Sequence, residues 1–146
     1  MYNLLVVSHS ILRWAIIVSF VTTLFLIIFN KTKQSPFSAL LKKASLVTLI
    51  ILHLQFLLGF FLYAISPKVI FSGLAMKTSL TRFFLVEHFS AMLVAVILIT
   101  IGYIKSKKIL EDNKKYNAII IYYLIGFVII LAAIPWPFYN FGTNWF

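Results

Sequence analysis

Five residues set the chemistry open to this sequence: His9, Arg13, His53, Glu87 and His88. All lie in strongly apolar stretches, where an ionisable side chain is expensive and therefore points to a function or a partner. His9 and Arg13 are four residues apart in "HSILRW", which on a helix places them on one face. His53 and Gln55 differ by about 200° around a helix, so they must face different neighbours. Glu87 and His88 are adjacent at the start of the third apolar stretch. Two neutral imidazoles that project inward at one depth are what the iron of a six-coordinate b-type haem needs, the porphyrin supplying the other four nitrogens. The plainer use of each histidine is a hydrogen bond between helices, worth only ~0.6–2 kcal/mol.

The elements that must position these residues follow from hydropathy. Of 146 residues, 62% are hydrophobic and 11% charged, too few charges to cover a soluble domain of this size. The apolar residues fall into four blocks: Leu4–Phe29, Ala44–Ile65, Phe83–Ile104 and Ala118–Ile134. Each approaches the ~20 helical residues that cross a bilayer, and helices satisfy their own backbone there. The expected fold is therefore all-α and integral to the membrane. It is one domain over residues 1–146, with four transmembrane helices in an up-down-up-down bundle. The first block lacks a basic n-region and a clear cleavage site, so it is expected to remain as a helix.

Charge sets the expected orientation. Nine of the thirteen Lys and Arg residues flank the first and third connections: Lys31, Lys33, Lys42, Lys43, Lys105, Lys107, Lys108, Lys114 and Lys115. Arg13, Lys68, Lys77 and Arg82 lie on the other side. The positive-inside rule places both termini and the second connection outside, as expected for a multi-pass membrane protein. The net charge of +10 thus has a membrane explanation, and no nucleic-acid partner is expected because no basic face alternates with exposed aromatics. The absence of cysteine excludes thiolate metal sites and c-type haem attachment. No Ser, Cys or Asp constellation suggests a hydrolase or another stand-alone enzyme.

Depth then sorts the histidines. His9 lies about 21 residues, or ~31 Å, from the inner end of its helix, and His88 about 17 residues, or ~25 Å. His53 is only about nine residues, or ~14 Å, from that side. The first and third helices are diagonal in a four-helix bundle, where cofactor sites are often built. His9 with His88 is the preferred axial pair for haem b, and His53 with His88 the competing one. Ala91, Ala95 and Gly59 are candidates to make room for the ring. Arg13 is expected to pair with Glu87, or else to meet a haem propionate, a role open equally to Arg82, Lys77 and Lys68 at the aqueous edge. Met92 is expected to pack.

At these residues the chain resembles small four-helix bacterial membrane proteins labelled cytochrome b-like. The likeness is carried by "HSILRW" (9–14), "HLQFLLGFFLYAISP" (53–67), "RFFLVEHFSAMLVAVILITIG" (82–102) and "IPWPF" (134–138), and runs through all four spans. It implies a b-haem electron carrier of the bacterial inner membrane with histidine ligands in the first three helices; quinone and a larger membrane protein complex are the expected partners. The paired histidines that large two-haem cytochromes b space along two helices are absent, which speaks against a two-haem path. Two other readings stand beside it: a cofactor-free accessory subunit of a respiratory or transport complex, and a proton or solute pathway using Glu87 and the histidines. The last has no inverted repeat or broken span to support it.

Overall fold

The computed structural model describes residues 1–143 and 145, and the regular structure among them is helical throughout. Four helices are long and apolar enough to cross a membrane: α1 (Tyr2–Thr32), α2 (Ala39–Ile65), α3 (Ser79–Lys108) and α4 (Asp112–Ala133). All four begin or end outside the expected apolar blocks, and at the starts of α2, α3 and α4 contacts of the first turn explain why. The Ser38 side chain accepts from the Leu41 amide and starts α2 five residues before Ala44, while Thr78 does the same for α3 through the Thr81 amide. Asp112, not Ala118, opens α4, with Lys115–Asp112 and Lys114–Glu111 ion pairs across its first turn. Hydropathy marks where lipid begins, whereas caps mark where the helix begins.

The helices pack in the ring order α1, α2, α3, α4, with the α3–α4 and α1–α2 pairs the most extensive and α1 and α3 on a diagonal. Two glycines allow the tight α3–α4 approach. A Cβ at Gly102 would lie 2.3 Å from Tyr122 Cβ, and one at Gly126 would lie 2.5 Å from Ile99 Cγ1. Without a hydrophobic drive between helices in lipid, such close backbone contact supplies much of their attraction.

The bundle has two unlike halves. Towards the Lys-rich connections it is solid: Phe20, Ile27, Leu41, Ile99, Ile119 and Tyr123 are fully buried, and Phe20 stacks on Phe127 with ring centres 5.0 Å apart. Polar groups there are satisfied internally. Thr23 and Thr48 hydroxyls are 2.9 Å apart, and the Tyr123 hydroxyl donates to the Ser45 carbonyl at 2.8 Å. The Phe37 amide donates to Asp112 Oδ2, tying the first connection to the start of α4. The other half encloses a cavity.

The glycine contacts give a direct expectation. Gly102→Ala must push Tyr122 Cβ, which is fixed to the backbone, and should lower stability by about 1–3 kcal/mol, the usual range for overpacking. Gly73→Ala, where nothing lies within 4 Å of the new carbon, should change little. Unfolding of both variants by SDS titration from mild-detergent micelles checks this.

Candidate functional site

The cavity, of about 250 Å³, lies between the halves of α1, α2 and α3 remote from the lysine-rich connections, and is closed by the end of α4 and the C-terminal segment. Most of its wall is apolar, including Phe56, Phe60, Phe89 and Met92. The polar lining includes His9, Arg13, Gln55, Tyr63, Lys68 and His88.

His88 reaches this wall because of an irregularity in α3. Residues Phe83–Glu87 form a π-turn, one residue wider than an α-turn. The Tyr63 hydroxyl, from α2, donates to the Leu85 carbonyl within it at 3.0 Å. Immediately after the turn, His88 Nδ1 lies 2.7 Å from the Ala133 carbonyl oxygen of α4. That oxygen can only accept, so Nδ1 carries the proton.

The same turn overturns the expected Arg13–Glu87 pair. Arg82 and Glu87 are five residues apart, on different faces of an α-helix but together on a π-turn. Arg82 Nε donates to Glu87 Oε1 at 2.7 Å, both side chains being nearly half exposed (44% and 47%). Glu87 lies in a shallow groove with Phe83, Ala91 and Ala133, outside the cavity. Arg82, a candidate for the site, is likewise absent from the cavity wall. Ala91 and Ala95 make no room there either: Ala95 is packed against Gly126 in the solid half.

Gly59, expected only to make room for a porphyrin ring, meets His9. A Cβ at residue 59 would sit 3.0 Å from His9 Cε1, so glycine leaves the imidazole its place on the wall. The His9 carbonyl accepts from Gln55 Nε2 at 2.9 Å. Among the described residues, His9 Nδ1 and Gln55 Oε1 are buried without a hydrogen-bond partner, an arrangement rare enough in native proteins to call for a ligand or a water. His53 faces elsewhere, as its angle to Gln55 requires. Its Nδ1 lies 2.8 Å from the Leu49 carbonyl and its Nε2 3.5 Å from Thr100 Oγ1, and it does not line the cavity. The structure thus brings His9 and His88 together and leaves His53 out.

The C-terminal segment, which follows the last apolar block, roofs the cavity. Lys68 Nζ, from the connection after α2, donates to the Phe141 and Gly142 carbonyls at 2.9 and 2.8 Å and lies over the Phe84 ring. Burial pushes the Lys68 ammonium below the usual lysine range, since leaving water disfavours its charged form. Gly142 supplies the left-handed turn (φ 61°) that other residues adopt reluctantly. Arg13 Nη2 and Trp14 Nε1 both donate to the Trp145 carbonyl, at 2.7 and 2.9 Å. Arg13, 8% exposed, is therefore occupied with the roof rather than with Glu87.

Compared with known proteins, the chain matches no protein family, no curated protein and no solved structure. The site must be read from its own geometry: two imidazoles, an apolar wall, two cations and a roof, with Glu87 turned outward.

If Lys68 holds the roof, Lys68→Met should raise amide hydrogen exchange around residues 141–143 by about tenfold. This corresponds to the ~1.4 kcal/mol that hydrogen bonds from a charged, partly solvated donor reasonably supply. Arg82→Gln, outside the cavity, should leave those amides unchanged.

Proposed function

We propose that this chain is a membrane b-type cytochrome that holds one haem b between His9 and His88 and carries single electrons. The observation that carries the reading is the meeting of two histidines, from diagonally placed helices, on the wall of one cavity. The donor set fits such a group. The His88 ring, protonated at Nδ1, keeps its lone pair at Nε2, and His9 has a buried ring nitrogen without a described partner. Gly59 leaves the His9 ring its space. Arg13 and Lys68, at the roofed end, are suitably charged for propionates, replacing Arg82 and Lys77 in that role.

When bound, haem b would supply a one-electron couple whose potential depends on axial ligands, burial and nearby charge. The protein's own residues do the rest. His9 and His88 bind, the phenylalanines keep the cavity apolar, and the segment held by Lys68 and Arg13 limits water. The proposed setting is the bacterial inner membrane, in an up-down-up-down bundle with both termini outside. Paired contacts of Tyr2 with Ser66, His9 with Gln55, and Thr23 with Thr48 support that topology. Quinol in the lipid phase and a larger respiratory complex are the proposed exchange partners.

The competing role, a cofactor-free accessory subunit, draws support from the interhelical bonds of Gln55 and His88, which would serve assembly alone. Absorption spectra of the detergent-purified protein, expressed with ample haem, separate the two. Air-oxidised and then dithionite-reduced protein should show a sharp α band and a shifted Soret band, at about one haem per chain. His9→Ala and His88→Ala should abolish both bands, while His53→Ala should keep them. A flat visible spectrum from folded native protein overturns the cytochrome reading in favour of the accessory one.

A further inference from the structure

The end of α4 contains a device that this reading of His88 does not require but that would serve it. In an α-helix each carbonyl accepts from the amide four residues on. For Leu131 and Ala133 those positions are Pro135 and Pro137, which have no N–H. The Ile134 amide still closes on the Ile130 carbonyl at 3.0 Å, after which Ile134, preceding a proline, is extended (ψ 129°). Two adjacent-turn carbonyls are thereby left without backbone donors at the cavity end of the bundle. Each is filled by a ring N–H. Trp136 Nε1 donates to Leu131 O at 3.0 Å, and His88 Nδ1 donates to Ala133 O at 2.7 Å.

We propose that Pro135 and Pro137 are positioning residues for His88: together they end α4 and reserve the Ala133 carbonyl for the imidazole. The bond fixes which nitrogen is protonated and orients the ring, leaving Nε2 as the lone-pair nitrogen on the cavity wall. Imidazoles that bind metals are commonly fixed this way through their other nitrogen, and the bond makes the ligand more electron-rich. Pro137 withholds the competing amide, and Pro135 stops the helix from presenting one. The purpose of the device rests on the haem reading, but the tautomer does not, and the two can fail separately.

The test is nitrogen NMR of histidine- and tryptophan-labelled protein in detergent, prepared without haem, at a pH where imidazoles are neutral. His88 signals are assigned by their loss in His88→Gln. Native His88 should show the proton on Nδ1. Pro135→Ala, which restores a donor for Leu131 O alone, should shift the Trp136 indole signal and leave His88 unchanged. Pro135→Ala with Pro137→Ala should lengthen α4, with a small rise in helical circular dichroism, and give His88 a mixture of tautomers. In haem-loaded protein the double variant should also have a higher midpoint potential, since its ligand is less electron-rich. An Nε2 proton on native His88 overturns the proposal even if neither variant folds. So does a folded double variant with the native His88 signature. A flat visible spectrum alongside an Nδ1 proton would instead remove the haem and keep the positioning role.

Discussion

A polar group that leaves water for an apolar phase must find its partner within the protein, and this constraint organises both halves of the bundle. In lipid the penalty falls on every unfilled carbonyl and amide. Around the solid half, hydroxyls meet it between closely packed helices: Thr23 with Thr48, Tyr123 with the Ser45 carbonyl, and Ser45 with the Leu41 carbonyl of its own helix. Around the cavity it is met largely by longer polar side chains that reach from one element to another. His88 bonds to α4, Gln55 to α1, Tyr63 to the π-turn, and Lys68 and Arg13 to the C-terminal segment. Those reaching bonds hold apart helices that would otherwise collapse as they do below.

The contrast explains where a cofactor could go. Glycines 102 and 126 draw α3 and α4 together until side-chain carbons touch backbone, and His53 does not line the cavity. Gly59 acts differently, because its missing Cβ accommodates an imidazole rather than a helix. The same residue type thus closes one half of the bundle and opens the other, according to what stands opposite. Ring stacking of Tyr63 on Phe89, with centres 4.5 Å apart, lines the open half with rigid apolar surface that cannot fold inward to fill it.

Much of this was readable from residue spacing. The four spans follow from hydropathy, and the opposed directions of His53 and Gln55 follow from 100° per residue. The matched depths of His9 and His88 follow from rise alone. What spacing could not reveal was departure from the regular helix. Counting at α-helical pitch placed Glu87 beside Arg13, but the π-turn at Phe83–Glu87 brings it to Arg82. A hydropathy profile likewise ends at Ile134 and cannot register that Lys68 and Arg13 draw the following residues back over the cavity. The first is a local break in the helical repeat and the second a set of hydrogen bonds between distant segments, and neither leaves a period in the sequence. The prolines of "IPWPF" were visible as helix stops, whereas the carbonyls they vacate acquire meaning only once the neighbour of α4 is known.

Turning Glu87 outward has a consequence for the electrostatics of the cavity. A carboxylate facing two cations would have neutralised part of their field and filled some of the space between them. Paired instead with Arg82 at a half-exposed surface, where an ion pair contributes little, Glu87 leaves Arg13 and Lys68 as the charged groups on the cavity wall. Lys68 Nζ donates to the neutral Phe141 and Gly142 carbonyls, and Arg13 Nη2 donates to that of Trp145. Positive charge at a poorly solvated site favours whichever state of an occupant carries the additional electron. The π-turn therefore does two things in one step: it delivers His88 to the cavity wall that His9 shares, and it turns Glu87 to Arg82 and away from that wall.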